Sequence, residues 1–285
     1  MIIPANVPQN KKEFYIKNKS ILDHENNPFL FAVDHKIEHL HADFHGTAIA
    51  ESASNTKNIF EIAQKGGADC LLTHLGLINQ WGSEYPDLNY IIKMNGKTNL
   101  ISTKNREPLS RALWTVEQVA QFQEHSNLKI CGVAYTIYLG SEYENEMMKE
   151  AAQIIFEAHQ KGFIALIFSY PRGKYVDKAQ NHPDLVAGAA GVAASLGADF
   201  VKLAIPYQNK QVNNKAIKVA VEAAGRTHIL FAGGTTDDQS MFLETIQKTG
   251  KKFPTVGFAI GRNIFQLPVN QAIEFSQKIK TALQR

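Results

Sequence analysis

Two lysines stand inside otherwise apolar runs. Lys202 lies in ADFVKLAIP (198–206), flanked by Val201 and Leu203, and Lys93 lies in YIIKMNG (90–96). A lysine in such a setting is costly unless it is paired or functional. Burial and neighbouring cations lower its pKa and free the amine to attack a carbonyl. The other reading is a lysine ion-paired to an acid such as Asp34, and the run pattern leaves both readings open for both lysines. Tyr170, near the end of FIALIFSYP (163–171), carries a phenol that donates or accepts a proton beside Lys202, or else packs under a rim. HILFAGG (228–234) ends in Gly233-Gly234, and TVGFAIGRN (255–263) ends in Gly261-Arg262-Asn263. Glycines let a phosphate approach backbone N–H groups, and Arg262 adds a charged, bidentate contact. The segment DHKIEHLHADFH (34–45) pairs His35 with His39 and His41 with His45 at i,i+4 spacing, which on a helix would suit a metal. It is expected to begin as strand and continue as loop, so no metal site is assigned and the histidines are read as hydrogen-bonded groups. No organic cofactor is expected.

These residues need elements to converge. Eight short apolar runs recur: FLFAVDH (29–35), ADCLLTHLG (68–76), YIIKMNG, KICGVAYTIY (129–138), FIALIFSYP, ADFVKLAIP, HILFAGG and TVGFAIGRN. Continuous apolar runs are the mark of strands buried on both faces. Helical periodicity is clearest in EYENEMMKEAAQIIFEAHQKG, where Met147, Met148, Ala151, Ile154, Ile155 and Ala158 share a face and Gly162 supplies a stop. Further helices are predicted at 58–65, 185–196, 215–224, 239–248 and 269–283. Eight strands alternating with helices predict a parallel, closed (β/α)8 TIM barrel. Residues 29–285 form one domain, with residues 1–28 as an extension over the outside or bottom. Longer connections at 76–88 and 97–114 follow the second and third strands, on the face where this architecture builds its sites.

Composition excludes several classes. The net charge of +3 is interspersed along the chain, so neither a nucleic-acid stripe nor a membrane patch is expected. Cys70 and Cys131 are too few for a disulfide scaffold and read as buried free thiols. MIIPANVPQNKK lacks the pattern of a secretory signal, and no stretch suits a membrane span, so a soluble cytoplasmic protein is expected.

The pattern resembles the archaeal-type class I fructose-bisphosphate aldolases, within the superfamily that includes deoxyribose-phosphate aldolase. The carriers are Asp34-His35 with Glu38-His39, Tyr-Pro-Arg-Gly at 170–173, Gly-Ala-Asp-Phe-Val-Lys at 197–202, Ala-Gly-Gly at 232–234 and Gly-Arg-Asn-Ile-Phe-Gln at 261–266. The resemblance implies that Lys202, rather than Lys93, forms a Schiff base with a phosphorylated ketose. It implies proton transfer for Tyr170, and hydrogen bonding to the lysine or substrate hydroxyls for Asp34. Gly233, Gly234, Gly261 and Arg262 would hold a phosphate, and Arg172 a second one. The implied substrate is fructose 1,6-bisphosphate and the implied assembly a homo-oligomer. Lys36, Leu40-His41, Phe168 and longer 77–85 and 97–111 loops depart from the family pattern around the substrate mouth. A phospho-sugar thiolase, a transaldolase-like enzyme, a metal-dependent aldolase and a non-catalytic phosphosugar-binding barrel are the alternatives.

Overall fold

In the computed structural model the chain is described over residues 2–102, 105–176, 178, 180–209, 211–233 and 238–284. Eight parallel strands are present: β1 (Phe29–Ala32), β2 (Cys70–His74), β3 (Asn89–Lys93), β4 (Lys129–Leu139), β5 (Ile164–Pro171), β6 (Phe200–Leu203), β7 (His228–Ala232) and β8 (Val256–Ile260). Each pairs with the next, and β8 pairs with β1, closing the barrel. The apolar runs make this possible because both faces of every strand are covered. Successive side chains point to opposite faces. Leu30, Cys70, Ile91, Leu166, Phe200 and Leu230 fill the interior, while Phe29, Leu71, Tyr90, Ile167 and Val201 pack against the surrounding helices.

The helices are α1 (Lys12–Ser20), α2 (His35–Glu38), α3 (Lys57–Gly66), α4 (Leu75–Trp81), α5 (Val116–Ser126), α6 (Glu144–Lys161), α7 (Pro183–Ser195), α8 (Asn214–Ala224), α9 (Gln239–Lys252), α10 (Arg262–Phe265) and α11 (Val269–Ala282). Among the described helices none is long and apolar enough to cross a membrane. α1 lies at the strands' N-terminal ends. Tyr15 joins the interior cluster and its hydroxyl donates to Asp199, which also meets His159 Nε2 at 3.0 Å.

Several sequence expectations change in detail. β1 stops at Ala32, and the stretch after Asp34 turns into α2 rather than continuing as strand and loop, so His35 and His39 do share helical spacing. The connection at 76–88 holds most of α4. In the connection at 97–114, Arg111–Ala112 pairs antiparallel with Asn95–Gly96, which the third apolar run had absorbed. α5 was not foreseen. Its signal was a capping box: the Thr115 hydroxyl accepts from the Gln118 N–H and the Gln118 side chain accepts from the Thr115 N–H. The predicted 239–248 helix extends to Lys252.

Candidate active site

Alternation along the strands decides which polar groups reach the interior at the strands' C-terminal ends. On β3 the sequence Ile91–Lys93 puts Lys93 level with interior Ala134. On β6 the step from Phe200 to Lys202 does the same, and Lys202 pairs in register with Phe168 of β5 and Leu230 of β7. Asp34 lies two residues beyond interior Ala32. Asp34, Tyr170, Arg172, Lys202, Gly233, Gly261 and Arg262 all line one cavity of about 840 Å³ at this end of the barrel. Gly234 lies outside the described residues.

The two lysines separate by their partners. Lys93 is fully buried; its Nζ donates to the Asn95 carbonyl at 2.9 Å and sits 3.5 Å from Asp34 Oδ2. The ion pair that the sequence allowed for Lys202 thus falls to Lys93. Lys202 places its Nζ 4.1 Å from the Phe168 ring centroid, with Lys93 5.4 Å from the same centroid. Burial pushes the Lys202 amine below the usual lysine range; the Asp34 and Glu38 charges oppose this and Arg262 adds to it. Burial alone would raise the Asp34 carboxyl, but Lys93 and then Lys202 outweigh it and hold it well below the usual carboxylate range. His35 is pushed down to about 3, chiefly by burial, and is neutral at physiological pH.

Tyr170 is half-buried beside Phe168, ring centroids 6.2 Å apart, with the Arg172 guanidinium 5.3 Å from its ring. Burial, and then the Asp34 charge, raise its phenol, so it is protonated at neutral pH. Arg172 also lies over Tyr138 at 5.9 Å, and its Nε donates to Gln180 Oε1 at 3.1 Å. Tyr138 in turn donates to Glu38 Oε1 at 2.9 Å. In the sequence Tyr138 carries no signal and Glu38 only a place in the family motif.

Opposite this cluster, β7 and β8 end in their glycines. A Cβ on Gly261 would meet the Ala32 carbonyl oxygen at 2.3 Å and His35 Cε1 at 2.7 Å, so only glycine lets β8 turn into α10 against β1. A Cβ on Gly233 would press on Asn263 Oδ1 at 2.9 Å. Arg262 is partly exposed, its Nε 3.9 Å from Asp43 Oδ2, and Asp43 also lies 3.5 Å from His39 Nδ1. The cavity thus has a cation on either side of Lys202, Arg262 after β8 and Arg172, over Tyr170, after β5. The His41 and His45 rings stack at 5.5 Å. Among the described residues no group of three or more His, Cys, Asp or Glu converges as a metal site. Thr136, also unassigned by the sequence reading, lines the cavity. It is buried, and its Oγ1 has no hydrogen-bond partner in the structure.

The model of the DeoC/LacD family of aldolases matches residues 29–267. The chain is 47% identical, over 97% of its own length and 88% of the relative's, to a protein of Methanocaldococcus jannaschii named fructose-bisphosphate aldolase/6-deoxy-5-ketofructose 1-phosphate synthase. Fructose-bisphosphate aldolase from Slackia heliotrinireducens superposes with a TM-score of 0.94 at 37% identity, covering 99% of this chain and 90% of that one. An archaeal fructose-1,6-bisphosphate aldolase, solved with its catalytic lysine covalently bound to the carbinolamine intermediate of the substrate, superposes with a TM-score of 0.80. It is 29% identical, with coverage of 96% and 99%.

Proposed function

The chain belongs to the DeoC/LacD family of aldolases, and from that premise we propose that it cleaves and forms the C3–C4 bond of fructose 1,6-bisphosphate through an iminium at Lys202. The products of cleavage are dihydroxyacetone phosphate and glyceraldehyde 3-phosphate, a reaction of glycolysis and gluconeogenesis. The observation that carries the assignment is the division between the lysines. Asp34 pairs with Lys93, while Lys202 rests on Phe168 in the cavity with its amine shifted toward the neutral form. A neutral buried amine is the nucleophile that a ketone requires.

The Lys202 nitrogen adds to C2. The carbinolamine oxygen leaves as water with the proton of Tyr170, giving the iminium and a phenolate. As C3–C4 breaks, its electron pair enters the iminium to form the enamine, and the phenolate takes the C4 hydroxyl proton as the aldehyde departs. Tyr170 then returns that proton to C3, and water releases the second product. A phenol held protonated by burial suits the first step. Asp34, ionised throughout, orients the amine and the hydroxyls. Gly233, Gly234, Gly261 and Arg262 hold the phosphate nearest the carbonyl so that C2 meets the amine, and Arg172 faces the second phosphate. The family resemblance supports a homo-oligomer, and the N-terminal and hydropathy patterns support a cytoplasmic location.

Borohydride tests this directly, because an iminium is reducible and a metal-bound enolate leaves no covalent link. Reduction in the presence of dihydroxyacetone phosphate should inactivate the enzyme irreversibly and place the triose phosphate on the peptide containing Lys202. Lys202→Met should abolish labelling and cleavage, and a chelator should leave the wild type active. An adduct on Lys93, or no adduct together with activity lost to chelator, overturns the assignment.

A further inference from the structure

The Thr136 hydroxyl is a buried polar group of the cavity that the mechanism leaves unused. In register, Thr136 of β4 pairs with Phe168 of β5, and Phe168 pairs with Lys202 of β6, so the three side chains stand at one level on the inner face. Both main-chain groups of Thr136 are clamped by one side chain: its N–H donates to Asn95 Oδ1 at 2.8 Å, and its carbonyl accepts from Asn95 Nδ2 at 2.8 Å. Asn95 is fully buried and its Nδ2 also reaches the Ser110 carbonyl, so the clamp is rigid. Thr136 is 1% exposed and lines the cavity, yet Oγ1 meets no protein donor or acceptor. Buried polar atoms nearly always have partners, and an exception lining a cavity is placed to meet a group that enters it.

The direction of the substrate says which group this would be. The glycine ends of β7 and β8 lie on one side of Lys202, while β5 and β4, with Tyr170, Arg172 and Thr136, lie on the other. A ketose with its near phosphate at Gly261 and Arg262 and its C2 at Lys202 runs its remaining carbons toward β5 and β4. The carbons past the breaking bond are those of the departing aldehyde. A neutral hydroxyl that both donates and accepts suits another hydroxyl, whereas the phosphate there faces Arg172.

Resting on the Schiff-base reading above, we infer that Thr136 is a specificity-determining residue that binds the hydroxyl next to the aldehyde carbon, and so selects α-hydroxyaldehydes as condensation partners of dihydroxyacetone phosphate. A site built to hydrogen-bond a hydroxyl discriminates strongly against the analogue that lacks it.

The test is condensation of dihydroxyacetone phosphate with glyceraldehyde and with propanal, in the wild type, Thr136→Val and Thr136→Ser. Valine keeps the shape and deletes the hydroxyl. In Thr136→Val the ratio of kcat/KM for glyceraldehyde over propanal should fall about tenfold, from the glyceraldehyde side alone, and serine should restore most of it. Borohydride trapping of dihydroxyacetone phosphate, which reads only the donor half, should be unchanged in Thr136→Val. Its Tm should not drop, because the hydroxyl makes no hydrogen bond within the protein. An unchanged acceptor ratio with intact trapping overturns the role of Thr136 and leaves the Schiff-base reading standing. Equal losses on both acceptors together with a lowered Tm would make Thr136 a packing residue. A wild type that does not trap the donor would overturn the Schiff-base reading and this inference together.

Discussion

Replacing Lys93 by methionine tests whether the Asp34 pair is what leaves Lys202 free. The perturbation removes one charge and nearly keeps the volume. Opposite charges 3.5 Å apart attract by about 5 kcal/mol at an effective dielectric of ~20. Lys202 is the next cation acting on Asp34. If about 1.5 kcal/mol of that attraction passes to the Lys202 ammonium, the neutral amine fraction at a fixed pH below its pKa falls roughly tenfold. The limb of kcat/KM that rises with pH as Lys202 loses its proton should therefore move to higher pH in Lys93→Met. The sign for Asp34 runs oppositely. Its carboxyl is depressed in the folded wild type, so its stabilising contribution is present above its unfolded pKa and disappears only as pH falls through the folded value. Without Lys93, burial acts against the carboxylate with one cation fewer, and an acid limb absent from the wild type near neutrality should appear. Breaking a buried pair costs ~3–5 kcal/mol, which for a chain of this size lowers Tm by about 10 °C, so circular dichroism must first show a folded variant. The assay is the pH profile of kcat/KM for cleavage, read with the rate of borohydride trapping. A folded Lys93→Met whose rising limb is unmoved or shifted to lower pH would refute the reasoning.

Tyr170→Phe keeps the ring against Phe168 and deletes the hydroxyl, so kcat should fall ~10²–10⁴-fold while slow borohydride labelling of Lys202 persists; near wild-type turnover would make Tyr170 a packing residue. Arg262→Ala removes the cation beside Gly261, and apparent substrate affinity should weaken at least about tenfold, since a charge-assisted contact is worth ~1.5–3 kcal/mol. Unchanged KM and unchanged inhibition by inorganic phosphate in that variant would remove Arg262 from the site.

The parts of this site that were legible in the sequence are those whose chemistry violates a local rule. A lysine among Phe200, Val201, Leu203 and Ala204 is conspicuous because burying it is costly, and a glycine at 261 is conspicuous because β8 should otherwise continue. Thr136 violates nothing. In KICGVAYTIY a threonine is a good strand former, and only the absence of a partner for its hydroxyl in three dimensions sets it apart. Glu38 and Tyr138 stand 100 residues apart and meet only once the barrel closes. The choice between the lysines lay beyond the run pattern for the same reason, and in the sequence only the family resemblance made it. Lys93 and Lys202 sit at equivalent points of their strands, each two residues past an interior apolar side chain, so periodicity treats them alike. Barrel closure distinguishes them. β3 is two strands from β1 in one direction, and β6 is three strands away in the other. Asp34, carried just past the end of β1, therefore has Lys93 within ion-pair distance, and the lysine on the longer path round the barrel is left against an aromatic ring instead of a carboxylate. Strand order selects which of two similar residues is held in an ion pair and which one rests against an aromatic ring in the cavity.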